Sequence, residues 1–66
     1  MKYQVRIDRP TYRNIVPFES LFGANYFASE ANRNVIDAEY IEVANAETGE
    51  IFTAYVLGKL TFKAEE

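Results

Sequence analysis

An α+β fold, with one helix packed on a small antiparallel sheet, is what this 66-residue sequence predicts. Three observations predict it. Residues 2–8 alternate polar and apolar side chains, residues 18–34 place small apolar residues at helical spacing, and residues 38–63 form β-rich runs parted by turn residues. The sheet is expected to join the N-terminal strand to a C-terminal three-stranded meander, all within a single domain, residues 1–66.

The first strand is read from Lys2, Gln4, Arg6 and Asp8 on one side and Tyr3, Val5 and Ile7 on the other. Period-two alternation of this kind marks a half-buried strand. Pro10 ends it, because proline offers no N–H to a ladder. Arg13 to Val16 reads as a short second strand or an extended connector, closed by Pro17.

The helix is expected from about Phe18 to Asn34, with proline at its start, where the first-turn N–H needs no intrahelical partner. Leu21, Ala24, Ala28, Ala31 and Val35 draw one narrow stripe of mostly small residues that lets the helix lie close to a sheet. Phe18, Phe22 and Tyr26 make a second stripe, and Phe27 points away from both. Together these positions wrap roughly 260° of the helix, more than one packed face requires. Gly23 costs about 1 kcal/mol of helix propensity relative to alanine. A break there, with a second short helix capped at Ser29-Glu30, is the alternative reading.

Residues 38–46 and 50–57 flank Glu47-Thr48-Gly49, a three-residue turn whose glycine can take positive φ. With Ala46 facing Glu50, Val43 opposes Thr53 and Ile41 opposes Tyr55. Gly58-Lys59 reads as a two-residue turn that sets Leu57 opposite Leu60 and Tyr55 opposite Phe62. One sheet face then collects Ile41, Val43, Ile51, Tyr55, Leu57, Leu60 and Phe62 toward the helix. The other collects Tyr40, Glu42, Ala44, Phe52, Ala54, Val56, Thr61 and Lys63, a mixed surface where a water-facing sheet is normally more polar. Ala64-Glu65-Glu66 reads as a loose tail.

Composition narrows the chemistry. With neither histidine nor cysteine, the chain lacks the usual ligands of zinc, haem and iron, any disulfide, and the common bases and nucleophiles. Asp37 and Glu39 are the nearest pair of carboxylates for acid–base work, and they would need a cleft to raise their pKa values. No glycine-rich phosphate loop or calcium loop occurs. The expectation is a protein that is not an enzyme and takes no cofactor. No signal peptide or membrane-length apolar run is visible, so a cytoplasmic location is expected.

The net charge of −3 is unevenly spread: residues 1–17 sum to +3, residues 18–58 to −6 and the last eight to zero. Arg6, Arg9 and Arg13 with Tyr12 form a set that can bind phosphates and stack a base, the nucleic-acid reading. The other reading of these arginines is a solubilising edge strand. The acidic side chains, Glu39, Glu42 and Glu50 among them, suit a cationic surface on a protein partner, with Tyr40 and Phe52 as aromatic anchors. A third reading has the spare apolar faces close a homodimer.

The whole-chain pattern resembles small phage-encoded inhibitors of bacterial defence, anti-CRISPR proteins in particular. The resemblance rests on the opening strand MKYQVRI, the segment FASEANRNV and the hairpin IEVANAETGEIFTAYV. It implies a non-enzymatic inhibitor that binds a host protein complex and blocks its nucleic-acid or nuclease site.

Overall fold

In the computed structural model, which describes residues 2–64, every polar–apolar alternation of the sequence becomes a strand of one sheet. The elements are β1 (Tyr3–Asp8), β2 (Arg13–Phe18), α1 (Leu21–Asn34), β3 (Tyr40–Asn45), β4 (Ile51–Val56) and β5 (Lys59–Lys63). All pairings are antiparallel, in the order β2-β1-β3-β4-β5. The predicted class therefore holds: one helix and a small antiparallel sheet. The expected tail at Glu65-Glu66 lies outside the described residues, while Ala64 still donates its N–H to the Phe52 carbonyl at 2.8 Å.

The N-terminal strand is not an edge. β1 lies between β2 and β3, with Arg6 across from Ile15 on one side and Glu42 on the other. The edge is β2, a full strand that runs through Pro17 to Phe18. Proline is tolerated there because an edge residue can do without one ladder donor.

The helix consequently starts later than the sequence suggests. Ser20, in extended conformation, caps it by accepting the Gly23 N–H at 3.0 Å. A hydroxyl on the residue before the helix satisfies one of the free first-turn donors. The helix continues unbroken through Gly23. A Cβ at Gly23 would stand 3.1 Å from the Ser20 Oγ, so the glycine leaves room for the cap.

The predicted alanine stripe forms the contact with the sheet. Ala24, Ala28 and Ala31 are buried against Val5, Ile7, Ile41 and Val43. Phe27, expected to point away, instead packs on Phe18 with ring centroids 5.3 Å apart. Thr53, buried on β4, donates to Asn25 Oδ1 at 2.9 Å and ties the helix to the sheet.

Two one-residue irregularities rearrange the meander. The first hairpin loop is one residue longer than expected: Asn45 pairs with Glu50, and the Asn45 side chain accepts the N–H groups of Glu47 and Thr48. Ala44 then faces Ile51, but Val43 faces Thr53, so Phe52 is the extra residue of a bulge. Phe52 leaves the outer face expected for it and packs edge-on against Tyr3 beside the core, at 5.8 Å. Ile51 takes its place opposite Ala44.

In the second hairpin the turn residues are Leu57 and Gly58, not Gly58 and Lys59, since Val56 faces Lys59. A further register shift between Ala54 and Tyr55 sets Phe62 opposite Ala54 and Leu60 opposite Tyr55. Phe62 therefore joins the outer face, Leu60 stays on the helix side, and Lys63, opposite Thr53, moves from the outer face expected for it to the helix side.

Candidate functional site

The sequence-predicted residues separate into groups once folded. On the outer sheet face, adjacent register brings Arg6, Asp8, Tyr40 and Glu42 together. The Tyr40 hydroxyl donates to Glu42 Oε1 at 2.8 Å, and the Arg6 guanidinium lies 5.1 Å from the Tyr40 ring centre. Arg6 also stands 3.9 Å from Glu42 Oε2 and 3.4 Å from Asp8 Oδ1, which accepts from Arg13 Nε at 2.9 Å. Burial, followed by the hydrogen bond to Glu42 and that carboxylate's charge, pushes the Tyr40 hydroxyl pKa above its ordinary value. Glu42 is buried, and its oxygens already face Tyr40 and Arg6.

The basic set is similarly self-contained. Arg9 lies 3.7 Å from Asp37 and 5.2 Å from the Tyr12 ring centre. Arg6, Arg9 and Arg13 thus each stand beside a carboxylate, which opposes their use as free phosphate anchors. Glu39 and Glu50 flank opposite ends of the β3–β4 hairpin, roughly 20 Å apart by strand length. With Phe52 on the helix side, Tyr40, Glu42, Glu39 and Glu50 do not form one acidic patch around it.

Large apolar side chains exposed elsewhere are more informative. Phe22 is 83% exposed and Tyr26 stands beside it on the outer side of α1. At the far end of the helix, Ile36 is 96% exposed and Leu57, in the β4–β5 turn, is 72% exposed. Both line one shallow groove of about 190 Å³ with Asn32, Arg33, Val35 and Ala38.

Several local interactions hold this tip in place. Asn32 Nδ2 donates to the Gly58 carbonyl at 3.2 Å, fixing the turn to the helix. Leu57 donates its N–H to the Glu39 carbonyl at 3.0 Å, and Val35 closes the helix on Ala31 at 2.8 Å. Leu57 and Gly58 have φ of 51° and 85°, the paired positive values of a type I′ turn. That turn favours asparagine, aspartate or glycine at both positions, and the left-handed region costs an ordinary L-residue roughly 1–2 kcal/mol.

A larger cleft of about 310 Å³ runs between α1 and β2, floored by Ile7, Ala31 and Val35. Its polar rim includes Glu30, which already pairs with Arg33 at 3.0 Å. Among the described residues no group of three or more acidic, histidine or cysteine side chains is placed to hold a metal ion. None of the described helices is long and apolar enough to cross a membrane.

The tip was missed in the sequence because assigning Leu57 to a strand hid its place in the turn. The available signal was the Leu-Gly dipeptide between two β-rich runs. No family model, curated protein or solved structure matches the chain.

Proposed function

We propose that this chain is a small protein-binding module whose contact is anchored at the tip formed by Ile36 and Leu57. The observation that carries this reading is Leu57 itself. It is an exposed leucine in a backbone conformation that other residues adopt at lower cost. Exposed apolar residues at locally strained positions are characteristic of binding surfaces, because neither feature serves the fold alone.

The reading extends to a non-enzymatic inhibitor of a host protein complex, as the resemblance to phage-encoded inhibitors implies. Such a protein needs a rigid body and a contact surface, and no chemistry of its own. The contact is mainly apolar in this version, with Glu39 beside the tip supplying charge toward a cationic neighbour.

The test is affinity capture from nuclease-treated lysate of the source organism, comparing wild type with Ile36→Ser. Ile36 is almost wholly exposed, so the substitution leaves the fold intact. A hot-spot side chain of this size is expected to account for about a tenfold or greater loss of capture. Equal capture by both proteins contradicts the tip as the anchor. A protein that captures only itself, with a light-scattering mass of two chains, replaces the reading with a homodimer.

A further inference from the structure

The two edges of the sheet are treated differently. On β2, Pro17 has no N–H and Arg13 is held by Asp8. On β5, Lys59 to Lys63 is exposed at every residue, and its outer edge pairs with no strand among the described residues. The lysines there also differ from the arginines. Among the described residues all four arginines pair with carboxylates, whereas Lys59 and Lys63 do not.

We infer that the free edge of β5 is a docking edge for an extended acidic segment of a protein partner, which adds to the sheet as a sixth strand. Strand addition uses backbone hydrogen bonds for affinity and alternate side chains for selection. Register fixes what the incoming strand must carry. Lys59 and Phe62 belong to the outer face, opposite Val56 and Ala54, while Leu60 and Lys63 belong to the helix side, opposite Tyr55 and Thr53. Acidic residues are favoured opposite the two lysines and apolar residues opposite Leu60 and Phe62. With Thr61 the extra residue of the bulge, four guest positions meet Lys59, Leu60, Phe62 and Lys63 on alternating faces. The pattern acidic–apolar–apolar–acidic reads the same in both directions, so it suits a parallel or an antiparallel guest.

The bulge at Thr61 also works against the simplest competitor. Two copies of β5 paired antiparallel about Thr61 would set Lys59, on the outer face, against Lys63, on the helix side. Residues directly opposite each other in a regular ladder share a face, so this register does not suit a second copy, whereas a guest strand without the bulge can set an acidic residue against each lysine. Lysines on an edge are a common guard against self-association. Here the same charges select the guest. The inference rests on the protein-binding reading for the kind of ligand, but it uses a different surface, adjoining the tip at Lys59.

The experiment titrates the intact protein with two blocked hexapeptides, Ser-Glu-Val-Ile-Glu-Ser and its counterpart with lysine in place of glutamate, and follows the backbone amides by NMR. The acidic peptide is expected to give saturable shifts centred on Lys59 to Lys63, at about tenfold higher affinity than the basic one. The double variant Lys59→Glu/Lys63→Glu, changed only at exposed positions, is expected to reverse that preference. Absence of shifts in β5 at millimolar peptide, or equal affinity for the two peptides, overturns the docking edge. Ile36→Ser keeps its peptide binding if the edge is right, so failure at the tip and failure at the edge are told apart.

Discussion

Leu57 shows how much one residue can report. The type I′ turn needs positive φ at two successive positions, and leucine adopts it only at a cost. Replacing Leu57 with asparagine is expected to raise unfolding free energy by about 1 kcal/mol, measured by urea denaturation. Tyr40 gives a second prediction at this scale, on pH. Its pKa is raised in the folded state, so the protein gains stability from Tyr40 fully below about pH 10, the ordinary tyrosine value. Above it the unfolded chain loses this proton first, and the gain disappears as pH rises through the folded-state value. Denaturation midpoints of wild type are therefore expected to fall more steeply above pH 10 than those of Tyr40→Phe. Parallel declines in the two proteins would contradict the environment assigned to Tyr40.

Among the elements, α1 was the most legible in sequence and the strand registers the least. The stripe Ala24, Ala28 and Ala31 has a fixed helical period, and small residues there imply close approach whatever the partner surface. The helix start was misplaced because Pro17 suits both a helix start and an edge strand, and only the sheet order distinguishes them. Ser20→Ala is expected to cost about 1 kcal/mol, because the Gly23 N–H loses its acceptor at the cap. An unchanged denaturation midpoint would show that the cap is dispensable. In the meander, the register of Val43 with Thr53 was legible even though the turn was read one residue short. The longer loop and the bulge at Phe52 offset each other along β3 and β4. They do not offset each other for Phe52, whose side chain moves to the opposite face. A single inserted residue leaves no periodic trace in so short a strand, so neither bulge could be read in advance.

For the whole molecule, the difficulty was which strands lie side by side. Arg6 meets Asp8 on its own strand, but Glu42, which also faces Arg6, and Asp37, which engages Arg9, come from β3 and from the α1–β3 connection, so those contacts appear only when β1 is placed beside β3. A basic N-terminal segment in sequence thus becomes part of a mixed-charge surface. The core behind it is small: Val5, Ile41 and Val43 are the largest fully buried side chains. A chain of this size has roughly 3–10 kcal/mol of stability in total. Ile41→Ala is expected to remove about 2–5 kcal/mol, which leaves the domain marginal or unfolded at 37 °C. A thermal midpoint within a few degrees of wild type would contradict the assignment of the core to this face. Such a small core also explains why so many aromatic and aliphatic side chains remain outside, since one helix laid over β1 and β3 cannot cover β4, β5 and its own outer side.

A leucine kept at position 57 for contact, at the expense of the fold, is tested most directly by Leu57→Asn, with stability and partner capture measured on the same preparation. The variant is expected to be more stable by about 1 kcal/mol and to capture its partner at least tenfold less well. A more stable protein that captures its partner as wild type does would contradict a contact role for Leu57, and the contact would then lie away from the tip.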